Sequence, residues 1–142
     1  MAMIEVDVVD ACGLAEIRAF YETVGYGGGV SPADVALAAR FNGRLLGVVR
    51  LCKERGVLVL RCMQVDPDAQ RKGVGRALLG HCLPYLDTGM AYCLPYDHLV
   101  KFYGQIGFEV TSPESIPAFL ADRLAGYVSS NLPTIAMRRM PW

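Results

Sequence analysis

The sequence predicts one mixed α/β (α+β) domain, a mostly antiparallel central sheet with a βαβ-like middle and helices on its faces. Three observations carry this. Two strand-like runs, 35–41 and 44–52, meet at Asn42-Gly43, a strong two-residue hairpin signal, and a third run, 57–65, follows a turn around Lys53-Glu54-Arg55-Gly56. That third run passes through a glycine-bearing loop into a helical pattern, and a short apolar run returns at 90–94. The 142 residues suit one domain, 1–142, with no room for a second.

Each element has its own signal. Residues 4–9 alternate apolar and acidic as a strand does. Asp10 is a good N-cap for a helix whose Leu14, Ile17, Tyr21 and Val24 share a face, and Gly25 stops it. Residues 26–30 read as a mobile loop, and Ser31-Pro32 as the start of a helical turn. The helix opened by Gly73-Val74-Gly75 is expected to kink or end at Pro84. Residues 97–106 read as helix stopped by Gly107, 108–110 as the start of a strand, 113–130 as a helix and 132–140 as a last strand.

Composition narrows the function. Hydrophobic residues make up 53% and charged residues 20%, enough for a packed core and against disorder. The 14 basic and 14 acidic residues cancel, so no bulk field draws nucleic acid or an anionic membrane surface. No apolar run approaches the ~20 residues of a membrane-crossing helix. The start lacks a basic segment and reads as a strand rather than a signal peptide. The five cysteines are odd in number and form no C-x-x-C, so reduced, mostly buried thiols and a cytoplasmic location are expected. The only histidines, His81 and His98, adjoin no cysteine cluster, and no metal is expected.

The most informative stretch runs from Val65 to Leu79. It ends a strand, crosses a loop and opens a helix, where free N–H groups and the dipole favour phosphate. Gly73 and Gly75 allow close backbone approach, and Arg71, Lys72 and Arg76 add positive charge. The pattern is neither G-x-x-x-x-G-K-[ST] nor G-x-G-x-x-G, because Leu78 holds the third glycine position of the latter.

Gln70-x-x-Gly73-x-Gly75, after Met63-Gln64-Val65-Asp66-Pro67, resembles the acetyl-CoA signature of the GNAT superfamily of N-acetyltransferases. Phe102-Tyr103-Gly104-Gln105-Ile106-Gly107-Phe108 is similar to that family's second motif, aromatic-Tyr-x-x-x-Gly-Phe. The resemblance implies the GNAT fold, with a splay between the fourth and fifth strands, and acetyl-CoA as cosubstrate. The pantetheine arm would lie in the splay along Met63, Gln64 and Val65, bonded to the backbone of the first and last. Gln70 opens the pyrophosphate loop, whose donors are the amides of Arg71, Lys72, Gly73, Val74, Gly75 and Arg76. Tyr103 matches the family's general acid. Tyr96 stands where many relatives carry an asparagine.

The implied reaction is attack of an amine on the thioester, which needs a proton for the leaving thiolate and a neutral amine. No base is evident; Glu22, Asp97 and His98 are possible proton acceptors. At pH 7 an α-amine with a pKa of roughly 8 is about 10% neutral, a lysine amine at roughly 10.4 about 0.04%, a gap of roughly 3.3 kcal/mol. A site without a base therefore favours α-amines or weakly basic ones. Arg61, amid apolar strand residues, needs an anion or a carboxylate partner. Simple alternation puts it on the face of Val59, Met63 and Val65. Its partner is either a substrate or an internal acid such as Glu5 or Asp7. Residues 60–65 and the segment after Phe108 resemble small GNAT proteins that acetylate amino acids. Arg50 reads as a solvated strand residue. Tyr21 and Tyr26 flank the loop where relatives bind acceptors. The expected function is N-acetylation of a small-molecule amine, an amino acid or a related compound, by a monomer or homodimer. The alternatives are a protein or peptide N-acetyltransferase and a non-catalytic CoA-binding module.

Overall fold

Asn42 and Gly43 both take positive φ, 51° and 81°, the backbone of a tight hairpin whose twist matches its strands. They join β2 (Val35–Phe41) to β3 (Arg44–Glu54). The second hairpin is as tight. Arg55 and Gly56 at φ 48° and 82° form the whole turn, so Lys53 and Glu54 stay in the ladder opposite Leu58 and Val57 of β4 (Val57–Val65), two residues beyond the expected strand end.

The chain is described here by a computed structural model covering residues 4–26, 30–31 and 33–141. The remaining elements are β1 (Glu5–Val9), α1 (Leu14–Thr23), α2 (Val74–Leu86), β5 (Ala91–Cys93), α3 (Val100–Gly104), β6 (Glu109–Thr111), α4 (Ala118–Ser129) and β7 (Ala136–Arg139). The seven strands form one sheet ordered β1-β2-β3-β4-β5-β7-β6, antiparallel except for β4 and β5. The loop of residues 27–29 and Pro32 lie outside the described residues; Ser31 Oγ accepts from the Ala33 N–H at 3.2 Å.

Alternation along the strands builds a core on each face. On one face Leu37, Val49, Leu51 and Leu60 pack with Leu78 and Leu79 of α2 and Tyr103 of α3. On the other, Ile17, Phe20 and Tyr21 of α1 cover Ala38 and Val48, while Leu120 and Leu124 of α4 cover Val59 and Tyr92.

Helix ends depart from expectation for local reasons. Pro84 does not end α2, which runs two residues further and buries Leu86 fully. The lost bond would have gone to the carbonyl of exposed Gly80, which solvent can satisfy. The 113–130 helix divides into a 3₁₀ turn at Pro113–Ser115 and α4, because Pro117 holds Ile116 extended at φ −120°, ψ 161°. Residues 97–106 likewise begin as a 3₁₀ turn, Asp97–Leu99. Strand β7 is shorter than the expected 132–140, since Pro133 and Ile135 bond instead to Asp97 and Pro95.

Two irregularities in β4 shape the site. It pairs with β5 only at Leu58↔Ala91 and Val59↔Tyr92, after which the strands part. It also carries a bulge: Arg50 faces Arg61 but Val48 faces Gln64, so three steps on β4 oppose two on β3, with Cys62 at φ 62°. Met63 and Val65 therefore join the α2 face while Arg61 stays on the α4 side. This corrects the expectation that all three share a face with Val59.

Candidate active site

The parting of β4 and β5 opens a cavity of about 330 Å³. One wall is Val59 to Gln64, another Cys93 to Tyr96, and α3 and α4 supply Tyr103, Arg123 and Tyr127. Residues 95–97 are fixed by Asp97 N–H to Pro133 O at 2.8 Å and Ile135 N–H to Pro95 O at 3.0 Å. Because α3 lies on one face of the sheet and α4 on the other, the cavity joins the two faces through the splay.

Tyr103 lies in the α2-side core, 6% exposed, its ring edge-on to Phe102 and Phe108 at 5.0 and 6.3 Å between centroids. Burial pushes its phenol well above the usual range, and Cys93, Cys82 and Cys62 add to the shift, so it remains a proton donor at neutral pH.

Three groups hold the bulge. The Tyr21 hydroxyl donates to the Cys62 carbonyl at 3.0 Å. Cys62 Sγ lies 2.7 Å from the Tyr26 hydroxyl and accepts from Arg50 Nη2 at 2.8 Å. Arg50 is not solvated as expected: it is 5% exposed and its other arm donates to Asp34 at 2.7 Å. Burial, then the Cys62 contact, pushes the Tyr26 phenol up to about 12. Tyr26 and Arg61 line the cavity, whereas Tyr21 is buried behind its wall.

Arg61 has an internal partner, but neither Glu5 nor Asp7. Its NH1 lies 3.5 Å from Glu54, while Asp7 pairs with Arg40 three strands away at the sheet edge. Arg123 of α4 forks onto the same Glu54 carboxylate at 2.8 and 3.2 Å. The Arg123 hydrogen bond, and after it the charges of Arg123 and Arg61, hold the Glu54 carboxyl below its usual range. Arg123 escaped the sequence reading, although Leu120, Arg123, Leu124 and Tyr127 stand at helical spacing on one face. Glu22, Asp97 and His98 are exposed and do not line the cavity; His98 stacks on Tyr96 at 5.8 Å.

The loop before α2 is exposed and turns on two positive φ values, Arg71 at 66° and Gly73 at 85°. The first-turn amides of α2, Val74 to Arg76, have no acceptor within the helix. Space in front of Gly73 is open, since an added Cβ would meet nothing within 4 Å. Gly75 differs: a Cβ there would lie 2.9 Å from the Phe102 ring, so a side chain at 75 would push that ring aside where α2 packs on α3. Gln70 Nε2 reaches back to the Val65 carbonyl at 3.4 Å. Among the described residues no group of three or more His, Cys, Asp or Glu gathers to hold a metal ion, and no helix is long and apolar enough to cross a membrane.

A sheet parted beside a helix N-terminus, with a buried phenol in the gap, is the arrangement that the resemblance to acetyltransferases implies. A family model described as the acetyltransferase (GNAT) domain matches residues 30–121, and the chain belongs to that family. Similar solved structures share the fold at low identity. An acetyltransferase of the GNAT family from Streptococcus pneumoniae has a TM-score of 0.72 at 14% identity, covering 99% of this chain and 100% of its own. The ribosomal-protein-S18-alanine N-acetyltransferase of Escherichia coli scores 0.68 at 17%, covering 99% and 96%. N-acetylglutamate synthase of Neisseria gonorrhoeae, complexed with coenzyme A and N-acetyl-glutamate, scores 0.68 at 18%, covering 100% and 36%. The chain thus spans about a third of the synthase's length. No curated protein matches the chain.

Proposed function

We propose that the protein transfers the acetyl group of acetyl-CoA to the amine of a small molecule, an amino acid or a related compound. The observation that carries this reading is the cavity joining the two faces of the sheet, with Tyr103 of α3 on one side and Arg61 of β4 on the α4 side. The chain's own groups fit acetyl-CoA. The open space before Gly73 and the partnerless amides of α2 suit a pyrophosphate. The β4 edge from Met63 to Val65, beyond its pairing with β5, suits the pantetheine arm. Gln70, Arg71, Lys72 and Arg76, in the same loop and first helical turn, are assigned to the pyrophosphate end in this reading.

In this reading the Tyr103 hydroxyl gives its proton to the departing thiolate. Arg61 orients the acceptor by a carboxylate, with Tyr26 beside it and Tyr21 fixing the strand beneath. A thiol-release screen with acetyl-CoA against free amino acids, polyamines, aminoglycosides and short peptides tests it. Release with carboxylate-bearing small amines is expected. Release confined to peptides would favour a peptide acetyltransferase, and saturable acetyl-CoA binding with no release a CoA-binding module.

A further inference from the structure

The acceptor end of the cavity carries a countable charge. Arg61 and Arg123 both line it, and Glu54, which binds both, stands behind them. The Arg123 fork uses both Glu54 oxygens, at 3.2 and 2.8 Å. Arg61 meets the same carboxylate through a single arm at the longer distance of 3.5 Å, so most of its five N–H donors remain for a ligand. Two guanidiniums and one carboxylate leave one net positive charge, and Arg55 and Asp122, which adjoin Glu54 and Arg123 on the far side, cancel one another. The walls around it are Leu94, Leu132 and the rings of Tyr96 and Tyr127, with Thr134 as an uncharged polar neighbour, and no further lysine or arginine lines the cavity.

We infer that the acceptor is a free α-amino acid with a single carboxylate and an apolar side chain. This rests on the acetyltransferase reading above and deepens it. One carboxylate meets the one uncompensated charge, through the fork geometry that arginine offers. A second carboxylate would leave water for an apolar wall without a counter-charge. An amide or a mid-chain peptide unit would offer the Arg61 fork no carboxylate. Glu54 thus sets specificity without touching the acceptor, by cancelling one of the two arginine charges.

The test compares leucine, methionine and phenylalanine with their carboxamides and with glutamate, reading kcat/KM by thiol release. In parallel, the melting temperature of the protein with coenzyme A is read on adding each amino acid, which needs no turnover. The three apolar acids should exceed both their amides and glutamate at least tenfold in kcat/KM and should alone raise the melting temperature. Glu54→Gln keeps the side-chain shape and raises the local charge by one, so it should narrow the glutamate-to-leucine gap. Glutamate or the amides performing as well as leucine would overturn the inference, as would a ratio indifferent to Glu54→Gln in a folded variant. Stabilisation by leucine without thiol release from any amine would uphold it and defeat the transferase reading instead. Absence of both binding and turnover for every amino acid would overturn it while leaving other amines open.

Discussion

The Tyr21 hydroxyl reaches from α1 to the Cys62 carbonyl at 3.0 Å and bonds the bulge in β4 from behind. Cys62 adopts positive φ without being glycine, a conformation that persists only where surroundings hold it. The bulge is what divides Arg61 from Met63 and sends one to each face, so this bond connects helix packing to the geometry of the gap.

Tyr21→Phe keeps the ring in its buried slot and removes that donor. A fully buried carbonyl left unpaired costs about 1–3 kcal/mol, and this partly buried one is expected at the lower end. Denaturant unfolding should show a loss in that range, and KM for the acceptor should rise more than affinity for acetyl-CoA falls. Unchanged stability would mean that Arg50 and Tyr26 hold the bulge without Tyr21.

Gly73 and Gly75 are separable. Gly73→Glu places a negative side chain in open space before the α2 amides, and Gly73→Ala carries the same positive-φ strain without the charge. Calorimetry should show acetyl-CoA affinity falling at least tenfold for Gly73→Glu relative to Gly73→Ala, about 1.4 kcal/mol. Equal affinities would remove the pyrophosphate from this loop. Gly75→Ala should instead lower stability, because its methyl meets the Phe102 ring.

Tyr103→Phe leaves the packing against Phe102 and Phe108 in place and deletes the hydroxyl. General acid catalysis contributes about 10²–10⁴-fold, so kcat should fall by that factor with acetyl-CoA binding retained. An active phenylalanine variant would assign the thiolate's proton to water.

What the sequence made legible follows from where local chemistry decides the backbone. Asn42-Gly43 specifies its turn because both positions need positive φ, and the two motifs place the loop before α2 and Tyr103 in order. The bulge was not legible: nothing in Arg61-Cys62-Met63 marks a positive φ, and simple alternation put Met63 and Val65 on the wrong face. Nor was the burial of Arg50, since its partners Asp34 and Cys62 meet it only through the registry of β2, β3 and β4. Arg123 was hidden differently. A helical stripe read for apolar residues passes over a cation on the same face, and only the tertiary position of Glu54 explains it.

Among the described residues that line the cavity none is aspartate, glutamate or histidine. Tyr26 is pushed up to about 12 and Tyr103 lies higher, so both phenols are protonated at neutral pH and neither serves as a base. The acceptor must then lose its own proton before attack. Below the pKa of that amine only the neutral fraction reacts, so log(kcat/KM) should climb with unit slope as pH rises and level off at the amine's pKa. Two acceptors whose amines differ by about one pKa unit should show limbs displaced by the same amount, a tenfold difference in rate at a fixed low pH. Measurement of kcat/KM from pH 6 to 10 for such a pair decides the point. A limb at one pH for both acceptors would instead belong to a group on the enzyme.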